Sequence, residues 1–394
     1  MKVKEIIQKK SAEKYSSIPE ILYLNNLDHV DRVKELLEQG LIQRVSDNYE
    51  LQLQEYFQVQ NPTIVYDSHF EIGFQKFVHE IGDKAALIEH GAWVFYPWLS
   101  LLVHLLDEEA FFKVRTARNR NLINEKEQKQ FYNATVGVAG LSVGNGIALA
   151  VILQGGARHI KLADPDILEL SNLNRIRAGV EFLGLPKVEM AARQIYVLNP
   201  YAQVELFKEG LSKENIERFF EKLDVIVDEI DDLSVKYLIR ECAKNKKIPL
   251  VMGADNGDNA VIDIERYDLD ENTPFFQGRL GKISYNKLKN LDKFGIGKTI
   301  TKHIGPENIT ERMQESLEQM GKTIVSWPQL GGAALLNGSG IAYCIRKIVN
   351  GSELNANRVI LNLDEKFIPS YASDSSRAHR MKVSQEFAKR FGIS

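Results

Sequence analysis

Residues 135–153 read TVGVAGLSVGNGIALAVIL, and this stretch decides the fold. It predicts a strand that ends at Gly140, a tight turn, and a helix that continues past Gly146. Gly140, Gly144 and Gly146 allow sharp backbone curvature and the close approach of a ligand to the helix N-terminus, where unpaired backbone amides favour phosphate. Alone, the glycine turn is a weak indication, because turns of this kind also serve purely structural roles.

Strand-like and helical runs alternate outward from this turn. The predicted strands are residues 136–139, 160–163, 204–207, 225–227 and 250–252, and the predicted helices are residues 147–154, 187–198, 213–223 and 233–245. This alternation predicts an α/β fold with a doubly wound, mostly parallel, Rossmann-like sheet. Residues 259–269 alternate like an antiparallel strand, residues 277–305 read as a long excursion, and a helix over 331–349 and a strand over 358–363 return to the sheet.

An acidic residue follows the second predicted strand. The stretch HIKLADPD, residues 159–166, places Asp164 where the strand ends. A carboxylate at this position of a nucleotide-binding fold can bind the ribose hydroxyls. The alternative is that Asp164 only caps a helix. The order strand, turn, helix, strand and acid favours nucleotide binding.

The next stretch distinguishes ATP from a nicotinamide dinucleotide. Asn172, Arg175 and Lys187 follow the acid in the sequence. The guanidinium of an arginine can hold two phosphate oxygens at once, and a lysine adds a point charge. A nicotinamide site needs an apolar face for hydride transfer, so this set of residues favours a polyphosphate. Each cation taken singly could equally be a solvated surface charge.

Four carboxylates, Asp228, Glu229, Asp231 and Asp232, follow the fourth predicted strand. Carboxylates at the carboxyl edge of a parallel sheet, facing a polyphosphate, suit Mg²⁺ that is bound together with substrate oxygens. The alternative is that Asp231 and Asp232 only cap the helix that begins at residue 233. One of them could cap the helix while the other binds the metal.

This series of motifs resembles the ThiF/MoeB/HesA branch of the ubiquitin-activating superfamily across roughly residues 115–350. The matching features, in order, are the glycine turn at 140, Asp164 and Asp166, SNLNR at 171–175, GLPK at 184–187, NP at 199–200, the acidic strand end at 228–232 and PLVMGAD at 249–255. The resemblance implies an adenylyltransferase that uses ATP and Mg²⁺ to adenylate a carboxylate. The C-terminal glycine of a ubiquitin-like or sulfur-carrier protein is one candidate substrate.

The resemblance also implies roles for individual residues. Asp164 would bind ribose, Asp231 would hold Mg²⁺, and Asn172, Arg175 and Lys187 would contact the triphosphate. An arginine just before the first strand would reach the ATP of a partner subunit, which implies a homodimer. Arg118 is the better match for this arginine and Arg120 the second; alternatively, both lie in a solvated linker.

The sequence departs from the family in three respects. Ser142, Val143 and Asn145 stand where glycines are common, no zinc-binding cysteine pairs exist, and residues 277–321 contain no cysteine that could form a thioester. Cys242 and Cys344 are expected to be small buried residues. The reaction is therefore expected to stop at the adenylate or to pass it to a nucleophile on another molecule.

Composition and the remaining sequence set broader expectations. The net charge of −3 gives no electrostatic reason to expect a nucleic-acid partner, and two cysteines fit a reducing cytoplasm. Residues 87–106 are about long enough to span a membrane, but a glutamate, two histidines and a proline interrupt them, so a buried segment or subunit interface is expected. We expect an N-terminal domain over residues 1–114, with a helix over 18–40, and a ThiF-type domain over 115–394.

Two other functions remain open from sequence alone. An NAD-linked oxidoreductase would share the glycine turn and the ribose acid. A non-catalytic module could keep the nucleotide fold only to hold a partner. The cations at 175 and 187 and the acid at 231 argue against both.

Overall fold

The computed structural model describes residues 3–11, 14–82 and 86–393. Within them the chain forms two units. One contains the residues up to Glu125 together with Ala192–Tyr201, and the other contains Lys126–Ala191 and the residues from Ala202 onward. The domain division expected at residues 114 and 115 stays a prediction.

The first unit is built on a small sheet of order β1-β3-β4-β2, as far as its described residues go. Its strands are β1 (Glu20–Leu22), β2 (Arg44–Asp47), β3 (Ala92–Tyr96) and β4 (Leu101–Leu105), and its helices are α1 (Val3–Ser11), α2 (Leu27–Glu38), α3 (Tyr49–Gln60), α4 (Phe70–Ile81) and α5 (Glu108–Arg115). Strand β3 pairs antiparallel with β1 and β4, whereas β2 and β4 are parallel.

The helix predicted over residues 18–40 is wrong at its start. Residues 20–22 form β1, which pairs with β3, and α2 begins only after Asn26. The side chain of Asn26 accepts a hydrogen bond from the Asp28 amide, a helix cap that fixes this boundary. The predicted stop is confirmed, because Gly40 follows the helix with a positive φ of 65°.

The apolar stretch over residues 87–106 is not a helix. It contains β3 and β4, and all five residues of β3 are buried. The expectation of a buried segment is thus met for β3. No helix in the described ranges is both long and apolar enough to cross a membrane.

The second unit holds a seven-stranded sheet of order β11-β10-β9-β8-β5-β6-β7 within the described residues. Its strands are β5 (Thr135–Ala139), β6 (His159–Ala163), β7 (Gln203–Phe207), β8 (Val225–Asp228), β9 (Leu250–Asn256), β10 (Asn259–Glu265) and β11 (Arg358–Leu361). Strands β5 to β9 are parallel, and β10 and β11 are antiparallel to their neighbours. The doubly wound, mostly parallel α/β fold is confirmed.

The helices of this unit follow the predicted alternation. They are α6 (Glu125–Asn133), α7 (Val143–Leu153), α8 (Lys187–Leu198), α9 (Ile216–Phe219), α10 (Leu233–Lys246), α11 (Tyr285–Lys289), α12 (Lys293–Ile304), α13 (Glu311–Gln319), α14 (Gly331–Val349), α15 (Leu363–Phe367) and α16 (Asp374–Phe391). Helix α6 begins at the last residue of the first unit, and α8 ends in that unit. The bounds of α8 and α14 agree with the prediction.

The helix predicted over residues 213–223 is much shorter in the structure, where α9 has four residues. The side chain of Asn215 holds the preceding segment in a loop, since its Nδ2 donates to the Gly210 carbonyl and its Oδ1 accepts from the Ser212 amide. Lys222 adopts a left-handed φ of 58° and ends the segment. Side chains that compete with the helical backbone thus override the sequence pattern here.

The order of the strands in the sheet reverses next to β5. The chain moves from β5 to β6 and β7 on one side, and then returns to β8 and β9 on the other side. In open α/β sheets, ligands bind outside the carboxyl ends of the strands at the point where the order reverses. That point lies between β5 and β8.

Candidate active site

The turn after β5 is fixed by Gly140. This residue has a φ of 87°, and a Cβ atom at this position would overlap the backbone carbonyl of Glu229. A side chain here is excluded by both conformation and space. Gly140 therefore brings the loop after β5 against the loop after β8.

The other two glycines of the turn have packing roles in the structure. A Cβ on Gly144 would lie 2.9 Å from Cγ1 of Val138, so this glycine lets α7 lie against β5. A Cβ on Gly146 would meet only the Ala334 carbonyl, at 3.6 Å, which is ordinary contact. The binding of a cofactor by Gly144 and Gly146 stays a prediction.

Asp164 organises the turn. Its Oδ2 accepts a hydrogen bond of 2.6 Å from the Leu141 amide, and its Oδ1 accepts one of 2.8 Å from the Asp166 amide. Burial raises the pKa of Asp164, while Lys187 and the two amides oppose that shift. The carboxylate predicted to bind ribose thus also links the carboxyl ends of β5 and β6.

Lys187, at the start of α8, joins the two acids of this loop. Its Nζ lies 2.8 Å from Oδ2 of Asp166 and 3.9 Å from Oδ1 of Asp164. Its backbone amide donates to the Asp166 carbonyl, which fixes the entry into α8. Because the side chain of Asp166 is largely exposed and lines a cavity, an anion could replace it as the partner of the buried lysine.

Asn172 and Arg175 lie on the turn SNLNR. The Oδ1 atom of Asn172 accepts from the Glu169 amide and closes the turn. The Nε of Arg175 donates to Oγ of Ser142 at 2.8 Å, so the guanidinium lies next to the start of α7. Burial lowers the pKa of Arg175, and the nearby carboxylates Asp231 and Asp255 oppose that shift.

The four carboxylates predicted after β8 have separate roles. Asp228 is fully buried and forms ion pairs with Arg240 at 2.5 Å and with Lys236 at 3.2 Å, both on α10. Burial strongly raises the pKa of Glu229, whose Oε1 accepts from the Gly253 amide. Asp228 is thus part of the protein interior, whereas Glu229 is half-buried and lines one of the two cavities of the site.

The remaining two acids, Asp231 and Asp232, are neighbours on the exposed loop. Oδ1 of Asp232 accepts from the amides of Ser234, at 2.7 Å, and Val235, at 3.1 Å, and caps α10. Asp231 is exposed and lines both cavities of the site. The structure therefore separates a capping acid from an acid that faces the site.

Two cavities meet at these residues. The larger, of about 620 Å³, is polar, and the smaller, of about 350 Å³, is mainly apolar. The polar cavity is lined by Asp166, Glu169, Ser171, Asn172, Asn174 and Lys187. Both cavities share the walls Ser142, Arg175, Asp231, Ser326, Trp327 and Gln329. They thus form one cleft with a charged boundary.

A magnesium ion in this cleft would meet Asp231 at the boundary of the two cavities, whereas Asp166, Glu169, Glu229 and Asp255 each line only one cavity. Among the residues that the structure describes, no three His, Cys, Asp or Glu side chains form a group that could hold a metal by itself. Mg²⁺ commonly binds through one or two carboxylates together with substrate phosphates. The exposed oxygens of Asp231 fit that arrangement.

Sequence reasoning did not single out Asp255, at the end of β9. Its Oδ1 accepts from Nδ2 of Asn337 at 2.6 Å, and its Oδ2 accepts from Nε2 of Gln329 at 3.3 Å. Burial raises the pKa of Asp255 to about 6. Asp255 could have been found from its position near the end of a strand, because Asp164 was identified from the same kind of position.

Arg118 and Arg120 lie in the first unit, in and after a short helical turn over Ala117–Asn119. The structure does not bring them together with the other predicted residues inside one unit. Their role in a partner's site stays a prediction.

Cys242 and Cys344 are free thiols that lie in the interior. Burial raises the pKa of Cys242 to about 12 and that of Cys344 to about 11. Both values disfavour the reactive thiolate. The two cysteines are buried as expected.

Comparison with known proteins identifies the relatives of this chain. The model of the ThiF family matches residues 116–269. An uncharacterized protein of Mycobacterium tuberculosis is 36% identical over 277 residues, which are 70% of this chain and 38% of that protein. The tRNA threonylcarbamoyladenosine dehydratase of Bacillus subtilis is 30% identical over 189 residues, 47% of this chain and 71% of the relative.

A third relative is named as an adenylyltransferase. The sulfur carrier protein adenylyltransferase of Thermus thermophilus is 32% identical over 120 residues, which are 30% of this chain and 43% of that protein. This chain thus spans less than half the length of the first and third of these relatives.

Proposed function

The chain belongs to the ThiF family, and from this premise we propose that it uses ATP to adenylate a carboxylate. The observation that carries the proposal is the cleft in which a polar cavity with Lys187 and an apolar cavity meet at Arg175 and Asp231. Such a cleft can hold a polyphosphate and an organic acid side by side. The Thermus thermophilus relative, named an adenylyltransferase, supports the same reaction class.

The polar cavity would bind ATP. Lys187 would replace its contact with Asp166 by a contact with a phosphate oxygen. The guanidinium of Arg175 would bind two phosphate oxygens at once. The first amides of α7 add donors, because no side chain caps this helix. The ribose would lie near Asp164, at the carboxyl end of β6.

Asp231 would hold Mg²⁺ on the phosphates, and the ion would offset negative charge on the leaving pyrophosphate. The rest of the chemistry depends on charge and position. A carboxylate oxygen forms a bond to the α-phosphorus while the bond from that phosphorus to the oxygen of the β-phosphate breaks, which gives an acyl-adenylate and pyrophosphate. Arg175 and Lys187 reduce the repulsion between the two anions and hold them in line.

The acid itself has several candidates. The C-terminal glycine of a ubiquitin-like or sulfur-carrier protein is one, and tRNA carrying threonylcarbamoyladenosine is another, as the names of two relatives suggest. A small carboxylic acid is the third. The arginine of a partner subunit, Arg118, would complete the site in a homodimer, and the buried thiols make an internal thioester unfavourable.

ATP–pyrophosphate exchange tests the proposal. The purified chain is incubated with ATP, Mg²⁺, labelled pyrophosphate and each class of acid, and titrations with the ATP analogue α,β-methylene-ATP and with NAD are run in parallel. We expect binding of the ATP analogue and exchange that depends on the acid.

Two outcomes would contradict it. Binding of NAD in place of the ATP analogue would indicate the oxidoreductase. Binding of the ATP analogue with no exchange for any class of acid would indicate the non-catalytic module.

A further inference from the structure

The apolar cavity lies on the side of the cleft that faces away from Asp164, the residue predicted to bind ribose. Strand order puts β6, with Asp164 at its end, on one side of β5, and β8 and β9 on the other side. The cavity of about 350 Å³ is lined by residues that follow β8 and by the end of β9, including Ile230, Met252 and Ala254. A nucleotide that extends from the turn toward β6 therefore leaves this cavity to the second reactant.

The walls of this cavity are mainly apolar, although Lys236, Lys293 and Asp255 also line it. The apolar walls include Val143, Phe276, Ile296, Ile300 and Trp327. Several of them come from the excursion that covers the carboxyl edge of the sheet, where α12 supplies Ile296 and Ile300. A cavity of this volume is at the lower end of the range for small organic ligands, and an apolar side chain with its neighbouring backbone fits within it. The tail of a protein that ends in glycines has no side chain to fill it.

One polar group on the cavity wall has an atom without a partner. His303 is 5% exposed, and its Nε2 lies 2.8 Å from Oδ2 of Asp263. Arg358 holds the same carboxylate with two hydrogen bonds of 2.7 Å. The Nδ1 of His303 is buried and has no hydrogen-bond partner in the described part of the chain.

The contact with Asp263 decides what His303 can do. Arg358 and His303 hold the pKa of the Asp263 carboxyl well below its usual range, against the effect of burial, so this group accepts hydrogen bonds. Burial lowers the pKa of His303, which favours the neutral ring. The ring proton then belongs on Nε2, which donates to Asp263, and Nδ1 is left as an acceptor. Buried acceptors are nearly always paired, and a donor on the ligand would supply the partner that the described residues do not.

We infer that the acid is one whose carboxylate is followed by an apolar side chain of about the size of leucine and by one hydrogen-bond donor. The side chain fills the apolar cavity, the donor bonds to Nδ1 of His303, and the carboxylate lies between Arg175 and Asp231 at the boundary with the nucleotide. This inference rests on the proposed adenylation and names its substrate class.

N-acetylated amino acids test it, because they combine a carboxylate, a variable side chain and an N–H donor. The KM for ATP–pyrophosphate exchange is measured with N-acetylglycine, N-acetylalanine, N-acetylvaline and N-acetylleucine. We expect the KM to fall about fourfold for each added carbon until the cavity is filled. N-acetyl-N-methylleucine lacks the donor and should bind at least tenfold more weakly than N-acetylleucine.

Three variants test whether the preference for leucine and for the N–H donor arises in this cavity. Ile296→Trp fills it and should abolish the preference for leucine over glycine. Phe294→Trp, on the same helix but 65% exposed and outside the cavity, should keep that preference. His303→Phe removes the acceptor and should remove the difference between the N–H and N-methyl compounds. Binding of α,β-methylene-ATP by calorimetry reports whether each variant retains its fold and its nucleotide site.

The outcomes separate this inference from the proposed function. An equal KM for the glycine and leucine compounds, or no exchange with any of them while the ATP analogue binds, would overturn the inference alone. If Ile296→Trp weakens the ATP analogue and leaves the preference for leucine intact, the cavity holds the adenine base and the inference is again wrong. Failure of the unmodified chain to bind the ATP analogue would overturn the proposed function as well.

Discussion

Neighbouring acids can carry different functions, and Asp231 and Asp232 illustrate this at the scale of single residues. Asp232 is held by two amides of α10, whereas Asp231 is exposed at the boundary of the two cavities. The sequence predicted only that one of them could cap while the other binds metal. The choice depends on backbone dihedrals at the helix start, which adjacent identical residues do not reveal.

We predict opposite effects for substitutions of these two residues. Asp231→Asn should lower ATP–pyrophosphate exchange by about 100-fold, the usual effect of losing one charged group from a preorganised site, and leave the stability unchanged. Steady-state exchange and urea denaturation measure the two effects.

Asp232→Ala is the matched control. Loss of the helix cap should cost about 1 kcal/mol of unfolding free energy and leave exchange close to that of the unmodified chain. Comparable exchange in the two variants would contradict the assignment.

Asp255 makes the stability of the chain depend on pH. Its pKa of about 6 in the folded state lies above the ordinary value of 3.8. Between these values the folded chain binds a proton that the unfolded chain has released, so the free energy of unfolding contributed by Asp255 falls as the pH rises through this window.

Asp255→Asn should remove that contribution. Relative to the unmodified chain, the variant should gain stability on the order of 2 kcal/mol between pH 4 and pH 7. Urea denaturation at several pH values measures the difference, with the exposed Asp258→Asn as control. A difference that does not change with pH would show that burial does not raise the pKa of Asp255.

At the scale of elements, the turn between β5 and α7 depends on Gly140 more than on the glycines that follow. We predict that Gly140→Ala destabilises the chain by at least about 2 kcal/mol, because the alanine meets both a left-handed backbone and the Glu229 carbonyl. Gly146→Ala should be neutral or stabilising, since its helical site has room for a methyl group. Thermal unfolding distinguishes them, and equal losses would contradict this account of the turn.

The parallel part of the sheet could be predicted because most of its strands are buried apolar runs, as in β8, whose four residues are all buried. Strand ends then identified Asp164 and Asp231. The apolar cavity could not be predicted, because Val143, Met252 and Ile300 meet only in the folded chain. Nor could the burial of Asp228, which depends on cations one turn apart on α10, Lys236 and Arg240.

At the scale of the whole molecule, the proposed homodimer implies that two copies share each site. Arg118 belongs to the first unit, whereas the other predicted site residues belong to the second. If the arginine acts in trans, Arg118→Ala and Asp231→Ala each inactivate a homodimer, but a mixed dimer retains one complete site.

We therefore predict complementation. Mixing the two inactive variants after subunit exchange should restore about one quarter of the unmodified rate, since half of the dimers are mixed and each has one complete site. Arg120→Ala in place of Arg118→Ala identifies which arginine matters. A mixture with no more activity than its components would contradict an arginine supplied in trans.

The central claim is that a carboxylate oxygen attacks the α-phosphorus of ATP. The most direct measurement uses the most active acid with its carboxylate labelled by ¹⁸O, followed by mass spectrometry of the products after the acyl-adenylate is hydrolysed or transferred. The account predicts one ¹⁸O atom in the phosphate of AMP and none in pyrophosphate. Label in inorganic phosphate, with ADP as the other product, or label retained entirely in the acid would contradict it.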